Sequence, residues 1–151
     1  MRFFLLTLTL AFSIFSFSAC SNQGTISTPT VTMNAQVAAM QKNDLPSMRS
    51  NLSEGTLQMI EKAAAAQKVS SDEVLASMSR QANTANKDGS IEIRNEQITG
   101  DSATLEIKNP VTGGWDKIPF VKEEGRWKIA LDKFMEDILK QTEAPVEPAK
   151  N

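Results

Sequence analysis

The sequence predicts an α+β domain in which helices come first and a roughly four-stranded antiparallel sheet follows. Three observations carry this. Between Met33 and Met78 apolar residues recur at helical intervals; after Gly89 they alternate with polar ones; and short turn-rich segments join the alternating runs. Helices followed by a strand meander pack as two layers, with the helices on one face of a curved sheet.

Met33, Val37 and Met40 share one helical face, and the pattern stops near Lys42-Asn43-Asp44. A second short helix carries Leu45, Met48 and Leu52, entered through Asn43 or Asp44 with Pro46 in its first turn. Ser53 is placed to cap a third helix, on which Leu57, Ile60 and Ala64 line up. Ser70-Ser71-Asp72-Glu73 is a capping box that opens a fourth, with Val74, Leu75 and Met78. Asn83 to Gly89 breaks the helical register. A methionine-rich stripe suits an adaptable groove, but at this spacing it reads first as core.

Four alternating runs follow: Ile91 and Ile93; Ala103, Leu105 and Ile107; Ile118 and Phe120 after Trp115-Asp116-Lys117; and Trp127, Ile129 and Leu131. Gly100-Asp101, Asn109 to Gly114 and Glu124-Gly125 supply turns too short for anything but an antiparallel meander. Pro119 has no N–H for a ladder, so its strand is expected at an edge or bulged. Leu131, Phe134, Met135, Ile138 and Leu139 then describe a strongly amphipathic terminal helix with Asp132 near its start. Residues 142–151, rich in Pro, Glu and Ala, read as a disordered tail.

The amino terminus carries a different kind of information. Met1-Arg2 precedes an apolar-to-hydroxyl run from Phe3 to Phe17, the order of an export signal. The run is shorter than the roughly 20 residues a membrane span needs, and it meets polar Ser21-Asn22-Gln23-Gly24. Phe17-Ser18-Ala19-Cys20 resembles the lipobox of bacterial lipoproteins, with Phe17 where that family usually has Leu. The resemblance implies cleavage between Ala19 and Cys20 and acylation of the Cys20 thiol, hence a membrane anchor. Ser21, in place of an Asp, implies sorting to an outer membrane and a domain facing the periplasm. Residues 1–19 are then the signal, 20–32 the lipidated Cys and a flexible tether, and 33–141 one domain.

Composition narrows the chemistry. The 151 residues include 16 basic and 18 acidic side chains, a net charge of −2, with no basic cluster of the kind that binds nucleic acid. There is one Cys and there are no His or Tyr residues, which excludes nucleophile–His sites and the usual Cys/His zinc sites. No metal site and no cofactor are expected. General acid–base chemistry is left to carboxylates or Lys, and Asp101 and Asp116 both read better as turn or surface residues. Trp127, in phase with Ile129, reads as core; Trp115, after Gly113-Gly114, reads equally as a structural residue or as a binding one, at a pocket rim or an exposed contact patch.

The Met40-Gln41-Lys42-Asn43-Asp44 turn, the Gly100 to Leu105 hairpin and the Glu124-Gly125-Arg126-Trp127-Lys128-Ile129 strand resemble the nuclear transport factor 2-like, or cystatin-like, superfamily. The resemblance implies a curved sheet and helices around a cone-shaped pocket, used for small ligands, catalysis or protein contact. The reading is a non-enzymatic, lipid-anchored module binding a small apolar ligand or an envelope protein. The alternatives are an isomerase or dehydratase with a carboxylate base, and an inhibitor or assembly factor using a sheet edge or the terminal helix.

Overall fold

The computed structural model describes residues 27–86 and 89–143; the signal, Cys20, most of the tether and the tail after residue 143 lie outside the described residues. Four helices precede the sheet: α1 Pro29–Lys42, α2 Leu45–Ser50, α3 Glu54–Gln67 and α4 Ser71–Ala85. The sheet follows as β1 Ile93–Thr99, β2 Ser102–Lys108, β3 Trp115–Glu123 and β4 Arg126–Ile129, and α5 Leu131–Glu143 closes the chain. The α+β class and the element order agree with the sequence.

Each of the first four helix starts has a side-chain cap that satisfies an orphan N–H. Asp44 receives the Ser47 N–H, Ser53 that of Thr56, and Ser70 that of Glu73. Hydrogen bonds from Ser47 also hold the Asp44 carboxyl below its usual range. The start of α1 corrects the expected tether. Extended Thr28 accepts the Val31 N–H and Pro29 occupies the first turn, so the helix begins before residue 33. Thr32 is buried and its hydroxyl donates to the Trp127 carbonyl at 3.1 Å, which anchors this turn on the sheet. At the other end, α5 runs to Glu143, past the boundary expected at 141.

The strands form one antiparallel meander in the order β1-β2-β3-β4. Pro119 therefore lies in an interior strand and not at an edge, contrary to expectation. The reason is local. Its carbonyl accepts the Ala130 N–H, so its missing N–H points to the same side, where the β4 ladder has already ended at Phe120↔Ile129. Leu131, expected as the last residue of that strand, instead opens α5.

Both outer edges of the sheet are obstructed. Along β4, Ile129 N–H donates to the Asn51 carbonyl and accepts through its own carbonyl from Ser53 N–H, adding a short parallel bridge at Leu52. Lys128, 8% exposed, reaches the Ser50 carbonyl there, and burial is the main cause lowering its pKa. On β1 the register slips between Arg94 and Gln97, with Asn95 in the left-handed region at φ 52°. The bulge turns Glu96 toward the first turn of α1, where its carboxylate accepts the Thr30 N–H at 2.9 Å.

The core lies between the helices and the inner face of the sheet. Met48, Leu75, Leu105 and Phe120 are fully buried, and Trp127 and Ile129 pack with them as their alternation predicts. The terminal helix joins through its first turns, with Leu131 and Phe134 packed against this cluster while Met135 and Leu139 are exposed.

A polar knot sets where α5 begins. Thr56 Oγ1 accepts the Leu131 N–H at 2.8 Å, and Asp132 Oδ1 lies 3.1 Å from Ser53 Oγ and 3.0 Å from Thr56 Oγ1. Two helix starts thus share one carboxylate, where both dipoles favour negative charge. Gly55 makes the approach possible: a Cβ there would fall 2.5 Å from Asp132 Oδ2. Gly55→Ala should destabilise the domain by up to about 2 kcal/mol, the clash outweighing a helix-propensity gain of about 1 kcal/mol, measured by urea unfolding. A smaller loss when Asp132→Ala is already present would identify this contact as the cause.

Candidate functional site

The helical layer does not close fully over the sheet. Between α1, the end of α4 and the β1–β2 end of the sheet is an open cavity of about 210 Å³. Its floor is apolar: Met33, 5% exposed, with Val37 and Met40 on α1, and Ile91 and Ile107 from the sheet side. Helical spacing puts the three α1 residues on one face; strand alternation turns Ile107 inward to meet them, and Ile91 joins from the segment leading into β1. The methionine stripe is therefore both core and cavity wall.

The mouth is polar and built from ends of elements. Gln41 donates to the Gly89 carbonyl, Asn83 Nδ2 to the Met40 carbonyl at 3.1 Å, and Asn86 to the Ser90 carbonyl. These side-chain amides tie the ends of α1 and α4 to the segment leading into β1. Pro110 completes the rim from the β2–β3 turn, which Asn109 holds by accepting the Val111 and Thr112 N–H groups. Outside lies a more polar groove of about 540 Å³ that shares Ala85, Asn86, Ile91, Lys108 and Pro110 with the cavity. Lys108 Nζ is paired with Glu92 Oε1 at 2.5 Å.

Chemically, this is a place to desolvate an apolar group. Among the described lining residues of the cavity there is no carboxylate, hydroxyl or thiol, and Lys108 is the one ionisable side chain. No group of three or more His, Cys, Asp or Glu among the described residues is placed to hold a metal.

Trp115 lies elsewhere. It alternates out of phase with Ile118 and Phe120, so it stands on the sheet face away from the core and does not line the cavity. The Arg94 guanidinium covers its ring at 3.7 Å from the centroid, while Arg94 Nε binds Glu106 Oε2 at 2.7 Å. That hydrogen bond is the main cause holding the Glu106 carboxyl below its usual range. The pocket-rim reading of Trp115 is thus corrected, because strand parity aims it outward; a surface contact is what its position allows. Asp101 is in the exposed β1–β2 turn, and Asp116 accepts a hydrogen bond from Asn109 Nδ2 at 2.8 Å. Neither lines the cavity. Ala19 and Cys20 lie outside the described residues.

The sequence marked the methionine stripe, read first as core, and gave no sign of the mouth. Gln41, Asn83 and Asn86 sit where helices end, and polar residues at helix ends are ordinary. Their convergence depends on how α1 and α4 cross, which no local pattern encodes.

No protein-family model matches the chain, and no curated protein matches it. Among solved structures, a crystal structure from Campylobacter jejuni, provisionally assigned as an NTF2-like transpeptidase, is similar at a TM-score of 0.46 and 13% identity. The match covers 68% of this chain and 98% of that one. At that level the similarity carries no functional inference, and the α+β architecture rests on the chain's own elements. Among the described residues, no helix is long and apolar enough to cross a membrane.

Proposed function

We propose that this chain is a lipid-anchored envelope protein whose nuclear transport factor 2-like domain binds a small apolar ligand without chemical conversion. The observation that supports this best is the open cavity, with an apolar floor and a mouth of side-chain amides. Binding energy in such a site comes from apolar area removed from water, about 25 cal/mol per Å². The amides orient, and no described lining residue supplies the carboxylate that an isomerase or dehydratase reading needs. Anchoring through Cys20 and an outer-membrane, periplasm-facing location rest on the signal and lipobox residues.

A second reading, contact with an envelope protein, draws on Met135 and Leu139, exposed on α5 at i and i+4. The sheet edges offer less, since both are obstructed. Protein purified from its native envelope separates the two. Solvent extraction and mass spectrometry should recover a small amphiphile in stoichiometric amount from the wild type. Recovery of none, together with a crosslinked protein partner lost on Leu139→Glu, would favour the second reading.

A further inference from the structure

The point where the chain leaves the domain toward Cys20 and the mouth of the cavity lie at opposite ends of the fold. Ser27 accepts the Trp127 N–H at 3.3 Å, beside the β3–β4 turn, and Thr30 is held to Glu96 on β1. From Pro29, α1 rises about 18 Å over the steps to Gln41, which reaches the mouth. The sheet says the same. In an antiparallel meander the β3–β4 turn beside Ser27 and the β2–β3 turn bearing Pro110 fall at opposite ends of β3.

The tether is short. Seven residue steps separate Cys20 from Ser27, so even fully extended they span about 25 Å. To turn the mouth to the bilayer, the tether would have to run back beside α1 for about 18 Å. That uses most of its reach and holds it extended, at an entropic cost for every residue so fixed.

We infer that the cavity opens away from the membrane that anchors the protein and takes its ligand from the aqueous side. Its occupant is therefore a water-borne molecule with a short apolar segment, not a bilayer lipid drawn directly from the anchoring leaflet. The inference rests on the binding reading and on acylation of Cys20, and it adds the source and class of the ligand.

The test uses the full acylated protein on phosphatidylethanolamine–phosphatidylglycerol vesicles carrying a headgroup-linked energy acceptor. Acylation occupies the single native Cys, so a dye attaches only to an introduced thiol. Asp101→Cys marks the end near Ser27, and Val111→Cys, at a position 80% exposed, marks the mouth. Transfer should be clearly stronger from residue 101, and a water-soluble dansyl-octyl probe should bind the vesicle-bound protein. Phosphatidylethanolamine with dansyl on its acyl chain should not respond. Equal or reversed transfer, or a response from the membrane-confined probe, overturns the inference. The expected transfer order with neither probe bound would instead sink the binding reading.

Discussion

Phe120→Ala should cost about 3–5 kcal/mol of folding stability, much of the 5–15 kcal/mol typical of a whole domain. Phe120 is 1% exposed in the interior strand β3, opposite Ala103 on β2 and Ile129 on β4. It joins the sheet to the helices, and with small Ala103 beside it the space left by the ring has no large neighbour to fill it. Urea unfolding followed by tryptophan fluorescence measures this directly, because Trp127 is buried in the same cluster. The midpoint should fall with an unchanged slope. Met135→Ala, at an exposed position on α5, should stay within about 0.5 kcal/mol. A small loss for Phe120→Ala would mean that the core is not organised around β3.

Cys20→Ala should abolish incorporation of a palmitate analogue and remove stable membrane attachment of the mature chain. The expectation follows from acyl-chain energetics. One chain binds reversibly, while two or more, at about 0.8 kcal/mol per buried methylene, hold a protein firmly. No described helix offers a substitute anchor. Labelling, washing with carbonate and fractionation measure the outcome. A Cys20→Ala variant that still takes up the label and stays in the membrane fraction would contradict acylation at this residue.

Most of the fold was legible because its signals are local. Caps at Asp44, Ser53 and Ser70 mark helix starts through one side chain and one N–H, and alternation in Ala103-Thr104-Leu105 marks a strand through its pleat. The misplacements came where one local rule had two outcomes. Thr28-Pro29 suits both a tether and a helix start, and burial of Thr32 against Trp127 decided it. Pro119 requires an edge, and the early end of β4 supplies one inside the sheet.

The site divides along the same line. Met33, Val37 and Met40 were visible as a stripe, but a stripe does not say whether the space above it is filled. The mouth residues belong to three separate segments and meet only through tertiary packing. Trp115 shows the converse: a large aromatic at a strand entrance attracts a functional reading, yet its parity with Lys117 and Val121 turns it to the outer face, beneath Arg94.

If this cavity binds an apolar group, filling it from α4 should block that binding. Ala82 lines the space and is only partly buried, so Ala82→Phe puts a ring where a ligand would lie, without enlarging the packed core. Fluorescence titration with N-phenyl-1-naphthylamine, alongside a thermal melt, is the measurement. The wild type should bind the probe saturably, and Ala82→Phe should lose at least about tenfold in affinity, a change of about 1.4 kcal/mol. Its melting temperature should be unchanged or raised, because filling a cavity commonly stabilises. Equal affinity for both proteins, with the variant fully folded, would show that the probe binds elsewhere and contradict the claim.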